Sequence, residues 1–600
     1  MKSKIGPLRI GKGYTHDSQE MADILSKQYE SVFNHPRPGD EIDKIDDFFK
    51  DTSEDGIFLN DIEFSKGDIE KVMTQLPMNS APGPDGVTTE LLKNVASSIL
   101  EPLWIMFRRS LDWGQPIEEV YEANITPIFK GGDKNEKQNY RPVSLTSHIV
   151  KVLERVLRKT IVKYLEENEL INKEQHGFRT QRSTMTQLLE FYETIVSLSE
   201  SGALVDAIYL DYAKAFDKVS HPILMKKLKE KARIGGKIGI WINQFLTNRV
   251  QYVVVNGEKS RVVRVVSGVP QGTVLGPILF IIMISDIGHN IHNHISLYAD
   301  DSRLYGKVKD EEDVRKLQKD LTTVYEWANR NNMEFNSKKF ELLRFGKNDH
   351  LKATTHYISP SGHTIEEQVT LRDLGITMSN DLCFDEHIAK IVAKATQLTG
   401  WVLRSFTTRK ADTMKLLFKQ LIRSGLEYCC PLWSPNSEEQ IQKIEKVQRL
   451  FTRKISGLSG KDRPNYWERL KILNMYSLQR RRERYIILYT MKALTGFVPN
   501  PGFKLKSNAR TGPRIEVPLT GTKSGIITPK MKDRRLLVQG AKLFNILPMD
   551  LRIDFDSLTL NTFKNRLDVF LSTIPDQPTI PGHSRVAETN SIIDQIACMH

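Results

Sequence analysis

The sequence predicts an α+β fold, a β-rich middle set between mostly helical ends. Three stretches carry that prediction. ALVDAIYLD (203–211) is near-continuously apolar and rich in β-formers, the pattern of a buried strand. RVQYVVVNGEKSRVVRVVSGVPQG (249–272) places two β-branched runs around Asn256-Gly257, a pair suited to a tight hairpin. After residue 384 the apolar positions take helical spacing, through about 457.

The other elements follow in order. Residues 1–75 are expected to be mostly helical, because EMADILSKQYESVF carries apolar residues at helical spacing. PMNSAPGPDGV (77–87) is an ordered loop by its prolines and glycines, and helical patterning resumes over 90–113. ANITPIFKGGDKNEKQNYRPVSL (123–145) predicts strand, basic loop, strand, with long helices at about 147–168 and 184–200. AKAFDKVSHPILMKKLKE opens a helix after the buried strand, and HISLYADDSRLYGKV (294–308) predicts a second hairpin. A helix at 311–330 and strands near 340–346 and 366–377 complete the middle. A basic stretch, WERLKILNMYSLQRRRERYIILYTMKALTG, continues helically to about 495, and residues 498–535 are richer in Pro, Gly and Thr. TLNTFKNRLDVFL forms one more helix before a tail with prolines at 575, 578 and 581, expected to be loosely ordered. There is no internal repeat.

The 600 residues allow several domains, and 40% hydrophobic with 26% charged residues is an ordinary folded composition. Lys and Arg outnumber Asp and Glu by 86 to 73, a formal charge of +13 that favours a polyanionic partner. Cys383, Cys429, Cys430 and Cys598 make no CxxC pair and no Cys/His ligand spacing, which argues against a zinc knuckle or a disulfide framework. TVLGPILFIIMISDI is too short and too interrupted for a membrane span, and the first residues lack a signal-peptide core. These features imply an intracellular protein with no membrane partner, and leave nucleus or cytoplasm open.

YADDSRLY (298–305) sets Asp300 against Asp301 at a turn. Adjacent carboxylates repel, and desolvating them is costly unless a cation compensates. The pair is either solvated or part of a cation site. Asp211 also ends a β-like run, about ninety residues earlier. If the two strands share a sheet, their acids converge on a hard divalent cation such as Mg²⁺. Two such ions would activate a hydroxyl and neutralise a departing phosphate.

LDYAKAFDKVSH (210–221), SGVPQGTVLGPILF (267–280) and YADDSRLY, in this order and spacing, resemble the palm motifs of reverse transcriptases. The likeness is greatest to those of non-LTR, LINE-type retrotransposons. APGPDGV, ITPIFKGGD, NYRPVSL, QHGFRTQRSTMTQL, FNSKKFELLRFG and LRDLGITMSNDLCFDEHI agree with it, and LEYCCPLWSP…IEKVQRLFTRKI (426–455) resembles jockey- and CR1-like elements. The resemblance covers roughly residues 1–572. It implies a right-hand polymerase fold with fingers, an antiparallel palm sheet, a helical thumb and a mostly helical C-terminal extension. The expected division is 1–75 N-terminal extension, 76–380 fingers and palm, 381–460 thumb, 461–572 basic helical region and 573–600 loose tail.

By that resemblance Asp211, Asp300 and Asp301 are the catalytic, metal-binding acids for two Mg²⁺ ions. Lys130 and Arg141 would hold the incoming triphosphate, Arg as a fork and Lys as a point charge. Phe216 falls where the family places a steric gate against the 2′ position of the sugar. Gln271 would contact the nucleotide, with Gly268 and Gly272 letting the backbone approach template and nucleotide. Lys339 matches a lysine proposed to protonate the leaving pyrophosphate, and the neighbouring Lys338 could shift that alignment by one. The implied activity is RNA-directed DNA polymerisation, with RNA template, DNA primer and deoxynucleotides as partners. QRRRERY (479–485), with Trp433, Tyr466 and Trp467, is either an RNA contact or a solvated helix face. The chain begins near the polymerase, so the family's N-terminal endonuclease is expected to be missing and supplied, if needed, by another protein. A co-opted or decayed copy that only binds nucleic acid is the alternative, and a group II intron enzyme a third.

Overall fold

The computed structural model describes all residues except 1–4, 41, 43, 51–56, 201, 461, 508–511, 520–526, 554–556, 579–589 and 600. Its strands begin with a short hairpin, β1 (Leu8–Ile10) and β2 (Gly13–Thr15), where mostly helix was expected. Two five-stranded sheets follow. The first takes β3 (Glu122–Phe129), β4 (Tyr140–Leu145), β6 (Val250–Val255), β7 (Glu258–Lys259) and β8 (Val263–Arg264); β5 (Leu204–Leu210) belongs to the second. The second adds β9 (His294–Tyr298), β10 (Asp301–Val308), β11 (Glu341–Phe345) and β12 (Glu366–Gln368), in the order β12-β11-β5-β10-β9. A separate two-stranded hairpin, β13 (Thr370–Asp373) and β14 (Ile376–Ser379), replaces the long strand expected near 366–377.

The second sheet explains why 203–211 is apolar at nearly every position. Leu204, Ile208 and Leu210 face one hydrophobic core, which contains the helices Gly276–Met283 and Glu311–Arg330. Val205 and Ala207, at the alternate positions, face a second core shared with the helix Thr184–Ser199 and the helices of the C-terminal third. Period-two alternation is invisible when both faces are buried. Within β5 the one charged residue, Asp206, lies directly opposite Arg344 of β11, and both are buried.

Asn256-Gly257 forms the β6–β7 turn with φ of 52° and 106°, the positive pair that a tight hairpin needs. The tail is more ordered than expected in one part, since Ile592–Met599 is a helix that packs with Ile592 buried. Pro581 lies outside the described residues. No helix among the described residues is long and apolar enough to cross a membrane.

Candidate active site

The two acid-bearing strands are neighbours. β5 and β10 pair antiparallel with Leu210 opposite Ser302, so Asp211 and Asp301 continue the ladder at one end of the sheet. Asp300 sits in the β9–β10 turn beside them. Beyond β5 the chain is anchored on the far side by Asn336, whose N–H donates to the Asp211 carbonyl at 2.7 Å. Tyr212 stacks on Phe335 with ring centres 4.2 Å apart.

The turn itself is strained and pinned. Ala299 has φ of 54°, in the left-handed region that a residue with a Cβ rarely adopts. Its N–H donates to the Gln175 side-chain oxygen at 2.9 Å, and that oxygen also accepts the Gly177 N–H at 2.6 Å. His176 N–H reaches the Leu297 carbonyl at 2.9 Å. QHGF is therefore the cradle of the acidic turn, a role its residue types alone do not disclose. A Cβ on Gly177 would lie 2.6 Å from the Ala299 nitrogen, so that backbone has to move to admit one. Gly177→Ala is expected to displace Asp300 and lower primer-extension kcat by about 10²-fold, in line with the cost of a 1 Å misplacement. Steady-state rates with an unchanged far-ultraviolet spectrum check it.

The carboxylates strain against one another. Desolvation raises Asp300, with Asp211 adding to the rise and Arg141 and Lys130 opposing it. Desolvation in the cleft, then the charges of Asp300, Asp373 and Asp211, push Asp301 up to about 6. Repelling hard-oxygen donors at one sheet end are the chemistry of a divalent-cation site. The expected ligand set is brought together without being closed: among the described residues no three Asp, Glu, His or Cys groups are gathered tightly enough to grip one ion. The Lys339 ammonium lies 3.1 Å from an Asp211 oxygen, an ion pair at the edge of this acidic group.

Two clefts meet at Asp211 and Lys339, which line both. One, about 820 Å³, also contains Lys130, Arg141, Phe216, Gln271, Gly272 and Asp300. The expected nucleotide contacts are thus gathered around one volume. Lys130 follows β3 and Arg141 lies on the adjacent β4, so the first sheet presents both. The other, about 930 Å³, contains Asp301, Arg303, Lys338 and the Arg372–Leu374 end of the β13–β14 hairpin.

Phe216 stacks on Phe280 with centres 4.4 Å apart, leaving its ring both a core contact and a wall of the first cleft. The glycines of SGVPQG also have a packing reason. A Cβ on Gly272 would meet the Ser144 carbonyl oxygen at 2.3 Å, and one on Gly268 the backbone of Phe216 and Asp217 at 2.8 to 2.9 Å. They let this turn pack on β4 and on the segment after β5. The turn is fixed further by the Ser144 N–H donating to the Gln271 carbonyl at 2.7 Å.

Sequence reasoning missed two groups here. Asp217 accepts from the Gln271 amide nitrogen at 2.8 Å, fixing which way that amide faces. Lys214, with φ of 59°, lines the same cleft, and desolvation together with Lys130, Arg141 and Lys339 lowers its pKa. Both lie inside LDYAKAFDKVSH, where the acid at 211 drew the attention. A further expectation fails. The QRRRERY segment is neither an RNA contact nor a solvated face, because Arg480, Arg482 and Arg484 are buried. Arg480 donates to the Pro575 carbonyl at 2.7 Å, Arg484 to Asp568 at 2.7 Å and Arg481 to Glu427 at 2.9 Å, so these forks tie helices together. Trp433 and Tyr466 are buried with them.

The reverse transcriptase (RNA-dependent DNA polymerase) family profile matches residues 130–378, the span that holds both clefts and all three acids. The chain carries a reverse transcriptase domain. Among similar proteins, the RNA-directed DNA polymerase from mobile element jockey of Drosophila melanogaster is 25% identical over 74% of this chain and 50% of its own length. The probable RNA-directed DNA polymerase from transposon X-element of the same fly is 27% identical, over 66% of this chain and 44% of its own. That from transposon BS is 26% identical, over 70% and 48%. The chain spans about half the length of the curated relatives it matches. Similarity to these relatives reaches well beyond the reverse transcriptase domain.

Proposed function

We propose that the chain is an RNA-directed DNA polymerase of the non-LTR retrotransposon type, adding deoxynucleotides to a primer 3′-hydroxyl on an RNA template. The single observation that carries this reading is the sharing of Asp211 between two clefts, one of them rimmed by Lys130, Arg141 and Lys214. Nucleotidyl transfer needs two substrates on opposite sides of one acidic centre. The cation-rimmed cleft suits a triphosphate, and the cleft beside Asp301 suits the primer end. Residues 76–200 then serve as fingers, the second sheet to about residue 380 as palm and 381–460 as thumb, with the basic helical region behind them.

Asp211, Asp300 and Asp301 would hold the two Mg²⁺ ions, which when bound lower the pKa of the attacking hydroxyl and stabilise the departing pyrophosphate. Lys130, Arg141 and Lys214 orient the triphosphate and neutralise its charge. Phe216 closes the space beside the sugar's 2′ position. Gln271, its amide fixed by Asp217, lies against the nucleotide. Lys339 leaves Asp211 as substrate enters and is then free to pass a proton to pyrophosphate.

Extension of a DNA primer on an RNA template with Mg²⁺, lost in Asp300→Asn, tests the reading; template binding without extension by the native chain refutes it in favour of a binding-only copy. A second test needs no turnover. Mg²⁺ at a hundred times its Kd is expected to stabilise the fold by about 2.7 kcal/mol, seen as a rise in Tm that Asp301→Asn abolishes. Asp301, held up at about 6, is ionised at pH 7.5 and largely protonated at pH 5, so the rise should be smaller at the lower pH.

A further inference from the structure

The LEYCCPLW segment (426–433) has no part in the chemistry above, yet it reaches the β13–β14 hairpin twice, once directly and once through His387. We propose that this segment is a clamp holding the hairpin in register with the acid-bearing sheet, and that Tyr428 is its positioning residue. A lone two-stranded hairpin is marginally stable, so something must hold this one. Its turn, Leu374-Gly375, takes φ of 45° and 90°. The Tyr428 hydroxyl proton is shared between the Leu374 carbonyl at 3.0 Å and the Thr184 hydroxyl oxygen at 3.1 Å. The Tyr428 ring lies over the turn: a Cβ on Gly375 would come within 3.3 Å of it.

The second link, an indirect one, starts at Trp433, which is fully buried and donates its indole N–H to the Tyr428 carbonyl at 2.8 Å. Its ring packs edge-on against His387 at 5.4 Å, and the His387 Nδ1 accepts the Thr377 N–H of β14 at 3.2 Å. Between the two contacts Cys429 takes φ of 51°, a left-handed residue that bends the segment around the hairpin.

What the clamp holds is the turn end of the hairpin. Asp373 there accepts from the buried Arg303 guanidinium and, at 3.3 Å, from the Tyr209 hydroxyl. Arg303 is two residues beyond Asp301 on β10, hence on the same face of the sheet. Thr184, the other acceptor for Tyr428, begins a helix whose Gln187 donates to Ser296 of β9 at 3.0 Å. Tyr428 thus bridges two supports of the strands that carry Asp300 and Asp301. Only the catalytic consequence rests on the function proposed above, namely that the hairpin borders the primer side.

Tyr428→Phe removes the hydroxyl and keeps the ring. In the unliganded full-length chain, amide hydrogen exchange over 370–379 is expected to quicken about five-fold, the weight of one hydrogen bond, with β5 and β10 unchanged. In primer extension the KM for template–primer should rise about five-fold, while the KM for deoxynucleotide and the Tm stay as in the native chain. Thr184→Val should move both readings the same way by less. Unchanged exchange over 370–379 overturns the clamp, as does uniform acceleration along the chain. Quicker hairpin exchange with both KM values unchanged overturns Tyr428 as a positioning residue. If the native chain extends no primer, the polymerase reading fails and the exchange measurement alone decides the clamp.

Discussion

Replacing Asp300 with Asn is expected to lower RNA-templated primer extension by at least about 10³-fold, the scale on which a single electrostatic group at a reacting centre is felt. The change is nearly isosteric, and Asp300 sits in a turn held through its backbone neighbours, Ala299 on Gln175 and Leu297 on His176. The fold should therefore survive, with a Tm equal to or above that of the native chain. A rise is the more informative outcome, because Asp300 is held above the usual carboxylate range by desolvation and by Asp211. Removing its charge relieves that repulsion when no cation is present. A variant that extends primers within tenfold of the native rate would refute the assignment of Asp300.

The largest effect on stability should come from Arg344→Leu. Arg344 is buried and donates to Asp206 through two nitrogens, at 3.1 and 3.2 Å, and to Thr355 at 2.8 Å. Its loss strands a carboxylate that, among the described residues, only the Tyr357 hydroxyl, at 2.7 Å, still meets. Breaking a buried pair from one side costs about 3–5 kcal/mol. The sign with pH is fixed. Burial already raises Asp206, and Arg344 is the charge that opposes the rise, so the variant binds this proton more tightly when folded than when unfolded. Its deficit is then smallest at low pH and widens as pH climbs past the unfolded carboxylate value of about 3.9. Urea unfolding at pH 5 and pH 7.5 reads the difference. Adding Asp206→Leu should restore part of the loss, though Tyr357 would then lack its acceptor.

Sequence reading succeeded where local chemistry and local pattern coincide. ALVDAIYLD could hardly be anything but a doubly buried strand, and YADD announces a carboxylate turn whatever the rest of the chain does. That β5 and β10 would be neighbours followed from the resemblance, and the register then left little freedom for the acids. What stayed hidden were partners far apart in sequence. Gln175 serves a turn at residue 299, and Arg303 pairs with Asp373. The arginines of 480–484 misled for a physical reason. Charge counting assumes solvent, whereas here carbonyls and carboxylates near residues 427 and 568–575 receive the forks of Arg480, Arg481 and Arg484, and Arg482 is buried. Lys214 was passed over because a lysine three residues from a candidate acid looks like an ordinary solvated charge until three other cations are found facing the same cleft.

The two-sided burial of the second sheet also sets where the polypeptide can be cut. The family profile stops at residue 378, but the core that Val205, Ala207, Leu343 and Phe345 share with the helix Thr184–Ser199 is built largely from side chains after that point, among them Phe384, which packs on Tyr192 of that helix, Trp433 and Leu543. A fragment trimmed to the profile would lay that oily surface open to water and clump. Soluble expression should demand the C-terminal third in the same molecule, or added back as a separate piece that docks onto it.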